Sequence, residues 1–335
     1  MNKIAKDKLM KNKKKLLLLP FLTAGLLFLT MYCISFFYDI KMPLAVSDYK
    51  ISFNEGSITL VEYVGEDSEL IIPERILGIP VRHIGPDCFS NAQTVISITI
   101  PDKMTKIDYA AFSECKNLES IYARNIEIIG EYAFNDDTKL KNVELGDSIK
   151  IIGKGAFFRC ESFEKISLND GIESIGDYAF IYSGITDISG VEKADIIGTS
   201  ILNYTPWEEN QKSDFVIIKD KLEVYKGKSE IVVVPDGVKV IDPAFDVEPG
   251  YDYPIQVSEV YIPDTVTEIK DLCFGDQKSD IRVYIPDSVT TIGNCIFIRV
   301  DNAVIITTSG STAEQYAIDN GINYEIVDSW EVPET

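Results

Sequence analysis

The chain has 335 residues and a formal net charge of −21 at pH 7, from 53 Asp and Glu against 32 Lys and Arg. Residues 1–15 hold seven Lys and one Asp, so the remaining 320 carry −27. So acidic a body repels phosphate backbones, which argues against a nucleic-acid partner.

In chain order, the basic segment 1–15 precedes 23 residues without a charge, Leu16 to Tyr38. At ~1.5 Å per residue that run crosses a bilayer core of roughly 30 Å. The lysines ahead of it predict a cytoplasmic N-terminus and translocation of everything that follows. The reading is therefore an N-terminal transmembrane helix, an uncleaved signal anchor over 16–38, followed by a linker over 39–49. A cleaved signal peptide is the competing reading, although its apolar core usually spans only about 7–15 residues. Cys33 follows the bulky Met31 and Tyr32, which does not suit lipidation.

From residue 50 a phrase recurs at a nearly fixed step. It reads Ile84-Gly85…Phe89, Ile107-Asp108…Ala111-Phe112, Ile129-Gly130…Ala133-Phe134, Ile152-Gly153…Ala156-Phe157 and Ile175-Gly176…Ala179-Phe180. Further copies stand at Ile197-Gly198…Leu202, Ile241…Phe245, Ile269…Phe274 and Ile292-Gly293…Phe297, nine in all. The closing residue advances by 22 or 23 from Phe89 to Leu202, and by 23 from Phe274 to Phe297. A period in the low twenties marks a solenoid whose repeats bury their apolar faces only against neighbours. Within one copy, Leu140, Val143 and Leu145 alternate as in a short strand; Ile149 and Ile152 continue inward and Ala156-Phe157 fills the interior. Pro101, Pro235, Pro263 and Pro286, each followed by Asp, end a strand and open a turn. The predicted fold is a strand-rich, right-handed superhelix of about nine turns with parallel pairing, its charged residues in outward slots.

Several segments stand apart. Ile51–Phe53 and Ile58–Tyr63 predict an N-terminal hairpin cap on a repeat block over 50–202. Residues 203–228 hold Thr205-Pro206-Trp207 and two alternating runs joined by Asp220-Lys221, a β-hairpin insertion with Trp207 packed beneath it. A second repeat block covers 229–300, with extra residues around Asp246–Gln256 that carry Tyr251 and Tyr253. Residues 301–327 form a C-terminal cap: Ser311…Glu314 opens a helix, Asn320-Gly321 stops it, and Ile322–Val327 returns as a strand. Residues 328–335 are a tail.

These residues resemble the leucine-rich repeat superfamily, in its BspA-like (Treponema-type) bacterial surface branch, over roughly residues 50–327. The resemblance implies export, display on the cell and adhesion to host or neighbouring molecules, and it brings no catalytic residues with it.

Catalytic chemistry finds little support. His83 is the only histidine and has no nucleophile and carboxylate to complete a triad; it reads as a strand-end residue half covered by neighbours. No zinc, calcium-loop or phosphate-loop spacing occurs, so no cofactor or metal is expected. Cys88 and Cys273 fill the small slot before Phe, Cys115 and Cys160 stand two turns apart, too far for a disulfide, and Cys295 is expected to be buried as well. Asp136-Asp137 and Glu208-Glu209 read as solvated loop charges.

The outward strand positions are the candidate site. One ladder reads Thr99, Tyr122, Glu144, Ser167 and later Tyr261, Tyr284; its neighbour reads Ser97, Ser120, Asn142, Lys165, then Glu259 and Arg282. Glu259, Tyr261, Arg282 and Tyr284, rimmed by Tyr251 and Tyr253, form the predicted ligand-binding patch, because Tyr and Arg are enriched at binding hot spots. The bland alternative is mutual support of tyrosines across a ladder. Sequence therefore predicts a membrane-anchored, bacterial cell-surface protein, N-terminus inside and repeats outside, that binds an extracellular protein or glycan. It would be secreted if the leader is cleaved. The alternative is a structural envelope scaffold without a dedicated ligand.

Overall fold

A computed structural model of the chain describes residues 44–46, 48–245, 257–275, 280–300 and 302–333. The chain divides into two compact units, Met1–Phe163 and Glu164–Thr335. The predicted membrane segment 16–38 and the loop residues Tyr251 and Tyr253 lie outside the described residues. Among the described residues no helix is long and apolar enough to cross a membrane.

Each turn of the first unit contributes to three ladders. The first joins three-residue strands in parallel, Glu69–Ile71, Ser97–Thr99, Ser120–Tyr122 and Asn142–Glu144, with Thr99, Tyr122 and Glu144 in register. A turn after each strand leads to the second ladder, of two-residue strands. Lys106–Ile107, Ile128–Ile129 and Ile151–Ile152 pair in parallel with Ile107, Ile129 and Ile152 opposite one another. The glycine that follows is a matter of space rather than of dihedral angle. A Cβ on Gly130 would lie 2.6 Å from the Asp108 carbonyl carbon, and one on Gly153 would lie 2.6 Å from the Glu131 nitrogen. The backbones of successive turns meet there, so Ile-Gly is a close-approach motif.

The third ladder is the arc carrying Ala-Phe. Asp87, Phe89 and Asn91 donate their N–H groups to Tyr109, Ala111 and Ser113 of the next turn, while Cys88 and Ser90 close i→i−3 bonds within their own turn. That alternation needs left-handed residues on both sides of each Phe. Ala110 (φ 48°), Tyr132 (φ 56°) and Gly155 (φ 56°) precede the small slot, and Glu114 (φ 63°), Asp136 (φ 61°) and Arg159 (φ 57°) follow two residues after the Phe. Left-handed backbone costs an L-residue about 1–2 kcal/mol, which the inter-turn hydrogen bonds and the aromatic core offset. Phe89, Phe112, Phe134 and Phe157 are fully buried and stack one on the next with centroids 5.0, 5.4 and 5.2 Å apart. The N-terminal hairpin, Tyr49–Asn54 with Ser57–Tyr63, caps the unit, and its inner strand pairs with Ile79–Ile84.

The second unit repeats the scheme. Phe215–Ile218 and Lys221–Tyr225 form an antiparallel hairpin whose second strand pairs in parallel with Val240–Ile241. A short helix, Pro206–Glu209, precedes it, capped by Thr205, and the Trp207 N–H bonds the Ile185 carbonyl 2.7 Å away. At the far end, helix Thr312–Asn320 is capped by Ser311 at one end and by left-handed Gly321 at the other, and it buries Ala313 and Ala317. Asn323–Ile326 then pairs in parallel with Ala303–Thr307.

Four expectations change. Among the described residues the repeats make about 11 turns rather than nine. The inner strands of the two hairpins supply ladder positions that the repeat phrase does not mark, Leu60 opposite Ile84 and Leu222 opposite Ile241. Cys295 is exposed, because Ile296 takes the small slot and Cys295 takes the left-handed position before it (φ 49°). His83 is exposed rather than half covered. Finally, Asp137 and Glu208 are buried, not solvated. Asp137 stands three residues after its Phe, as Cys115 and Cys160 do, and there accepts the Cys115 N–H at 2.7 Å. Glu208 accepts the Tyr204 N–H at 2.7 Å.

Candidate functional site

Five parallel strands form one face of the second unit: Ile231–Val233, Glu259–Tyr261, Ile281–Tyr284, Ala303–Thr307 and Asn323–Ile326. Their register places Glu259 opposite Arg282 and Tyr261 opposite Tyr284, so four of the six sequence-predicted residues come together. Parallel pairing at the ~4.8 Å strand spacing drives the two phenol rings into a face-to-face stack. Their centroids are 4.1 Å apart and the planes are inclined by 9°.

The patch is more enclosed than an outward ladder implies. Tyr261 is only 7% exposed, and its hydroxyl donates to Glu259 Oε2 at 2.6 Å. Burial, then that hydrogen bond, push the Tyr261 phenol well above its usual range, so it remains a neutral donor. Arg282 reaches diagonally across Ala303–Thr307 to Glu325 and makes a bidentate pair, Nη1 to Oε1 at 3.0 Å and Nη2 to Oε2 at 2.7 Å. The Glu325 bonds raise the Arg282 guanidinium, and Arg282 in turn holds the Glu325 carboxyl below its ordinary value. Within the sheet, Arg282 is therefore matched by a carboxylate, while Glu259 accepts the neutral Tyr261 hydroxyl.

The C-terminal tail supplies what sequence reading missed. Trp330 packs on Tyr284 with centroids 5.9 Å apart at 55°, extending the aromatic row. Pro333 lies farther along the same face, on a concavity of about 400 Å³ lined also by Asp214, Phe215, Tyr225, Ile231 and Val233. Ile231 and Val233 pair with Glu259 and Tyr261, so the concavity adjoins the tyrosine stack. A Trp and a Pro in an otherwise acidic tail were the available signal, but nothing local to residues 328–335 names the strand they meet.

The arrangement offers aromatic surface on Tyr284 and Trp330 and a bidentate cation–carboxylate pair beside a largely apolar hollow. Those elements suit recognition. Among the described residues, no group of three or more His, Cys, Asp or Glu is placed to hold a metal ion.

Short parallel strands, a second ladder closed by Ile-Gly and an interior filled by Ala-Phe define a leucine-rich-repeat solenoid. The chain belongs to the BspA-type leucine rich repeat family, whose profile matches residues 82–207 and 251–328 in six copies. Solved structures with similar folds include a leucine rich cell surface protein from Faecalibacterium prausnitzii (22% identity, 84% of this chain and 98% of that one, TM-score 0.48). They also include a leucine-rich repeat protein from Eubacterium ventriosum (19% identity, 79% and 78%, TM-score 0.47). A third is the pneumococcal vaccine antigen PcpA (15% identity, 87% and 100%, TM-score 0.48). No curated protein matches the chain significantly.

Proposed function

We propose that this chain is a bacterial cell-surface binding module, anchored through residues 16–38, with its repeats outside the cell holding an extracellular protein or glycan. The observation that carries the reading is the aromatic row Tyr261–Tyr284–Trp330 beside the concavity at Ile231–Val233. Tyr and Trp supply large contact area at small entropic cost, and Tyr, Trp and Arg dominate binding energy where they cluster. The acidic body favours a neutral or basic partner.

Residues 48–335 should give saturable binding on arrays of extracellular-matrix proteins and glycans, and Tyr284→Ala/Trp330→Ala should abolish the hit. Equal signals from both proteins would remove the proposed face. The anchor is tested separately. Full-length chain should sediment with membranes, while a chain beginning at residue 41 should not; equal distribution of the two would refute anchoring. If the array is empty and deletion of residues 1–40 causes envelope defects, the scaffold reading takes over.

A further inference from the structure

Where the hairpin replaces a regular turn, three charged side chains meet out of reach of solvent. Lys221, Glu223 and Asp242 are 6%, 1% and 0% exposed. Parallel pairing of Lys221 with Val240 and of Leu222 with Ile241 brings Glu223 level with Asp242. Lys221 Nζ lies 2.9 Å from Glu223 Oε1 and 3.2 Å from Asp242 Oδ2, and it also donates to the Gly198 carbonyl. The Ser200 N–H donates to Asp242 Oδ2 at 2.6 Å. The other oxygens are poorly served: Glu223 Oε1 has only the ion pair with Lys221, and Glu223 Oε2 and Asp242 Oδ1 accept no hydrogen bond of normal geometry. A buried amine, two buried carboxyls and two unbonded oxygens make a costly way to hold a hairpin, since buried polar atoms are almost always partnered.

Protonation fits a different use. Burial, reinforced by the neighbouring Asp242, pushes the Glu223 carboxyl up to about 8, so it carries a proton at neutral pH. Burial also raises Asp242, against the opposing pull of Lys221 and the Ser200 N–H. On Lys221, burial works against the ammonium, but the two carboxyls override it. The cluster is then neutral as a whole, and one proton passed from Nζ to Asp242 leaves a free amine beside a neutral carboxylic acid.

We propose that Lys221 and Asp242 condense to an intramolecular amide, with Glu223 relaying the proton. The Nζ lone pair attacks Asp242 Cγ and forms the C–N bond. Oδ2, held by the Ser200 N–H, takes the developing negative charge and remains as the amide oxygen. Glu223 accepts a proton from Nζ and delivers one to Oδ1, which leaves as water as its bond to Cγ breaks. An amine and a carboxylic acid thus become an amide and one water, Glu223 ends protonated as it began, and no oxidant, metal or activating group is consumed. Nζ held 3.2 Å from Oδ2 of the same carboxyl supplies the proximity such a step requires, and exclusion of water protects the product from hydrolysis. Protonated Glu223 can then donate to the new carbonyl and accept from the new N–H, which gives both its oxygens hydrogen-bond partners. The link would tie the inserted hairpin covalently to the turn that follows it.

Intact-mass measurement of the purified full-length chain tests this. Unmodified start and end being confirmed by peptide mapping, the wild type should weigh one water less than its sequence. A denaturing tryptic digest should leave Lys221 uncleaved, in a branched peptide with the segment that contains Asp242. Asp242→Asn is the diagnostic variant: the same attack expels ammonia, so its cross-linked product should have the same mass as cross-linked wild type. Glu223→Gln should slow bond formation by roughly 100-fold or more, the usual contribution of a positioned proton carrier. Lys221→Arg should show its full sequence mass. Wild type and Asp242→Asn both at full sequence mass, with normal cleavage after Lys221, would overturn the proposal and leave a buried ion pair.

Discussion

Replacing Phe274 by Ala tests the idea that each turn is stabilised by its neighbours. The ring is fully buried and sits between Phe245, 5.3 Å away, and Phe297, 5.5 Å away. Removing a fully buried Phe costs about 3–5 kcal/mol in transfer and cavity terms, and the two stacks place this site toward the upper end. Phe297, in the same unit, is half-buried and stacks on Phe274. Losing roughly half of a buried side chain's transfer energy gives about 1–2 kcal/mol for Phe297→Ala. Urea unfolding followed by circular dichroism supplies both values. Hydrogen exchange adds the spatial test, because the Phe274 N–H bonds Ile296 and the Phe245 N–H bonds Cys273. In Phe274→Ala both amides should lose protection together, as nearest-neighbour coupling requires. A cost for Phe274→Ala no larger than that for Phe297→Ala, with protection at Phe245 unchanged, would refute the reasoning.

Other outcomes follow from single positions. Gly153→Ala should cost about 1–3 kcal/mol, the range for overpacking, since its Cβ would press on the Gly130–Glu131 backbone; thermal unfolding reads it. Glu114→Gly, at an exposed left-handed position, should raise stability by roughly 0.5–1 kcal/mol, the strain relieved less the entropy that glycine adds to the unfolded chain. Asp137 is raised by burial above its ordinary range, with the Cys115 N–H opposing, so the folded state holds its proton longer than the unfolded state. Its contribution is therefore present at acid pH and is lost as pH rises from the unfolded carboxyl value through the folded one. Asp137→Asn should be more stable than wild type at neutral pH, with a flatter pH dependence in urea titrations; an unchanged slope would contradict this. Tyr284→Ala should shift the Trp330 emission toward that of solvated indole, and an unshifted spectrum would dissociate the tail from the face.

Much of the fold was legible because its determinants are local and repeated. Ile-Gly and Ala-Phe occur once per turn, and the spacing alone aligns Glu259 with Arg282 and Tyr261 with Tyr284. What escaped depends on partners far away in sequence. Tyr, Glu and Arg at left-handed positions look like ordinary surface residues until the inter-turn hydrogen bonds that require them are seen. Lys221 reads as part of the turn joining the hairpin strands, and nothing marks Glu223 or Asp242 as its partners, because alternation in a hairpin does not reveal which face the next turn covers. Asp137 occupies a slot that holds Cys in two neighbouring turns, so composition at one position misled. The aromatic face was half visible: its tyrosines follow from register, but Trp330 reaches Tyr284 from a segment with no periodicity of its own.

The central claim is that the Tyr284–Trp330 face is a ligand surface, and the direct measurement is the dissociation constant of residues 48–335 for the strongest array hit. It should be taken on wild type, on Tyr284→Ala/Trp330→Ala and on a control, Tyr122→Ala, whose exposed ring lies on the equivalent ladder of the first unit. Loss of two hot-spot aromatics predicts at least ~10-fold weaker binding for the double variant, with the control unchanged. Equal affinity in all three, or a loss confined to Tyr122→Ala, would contradict the account.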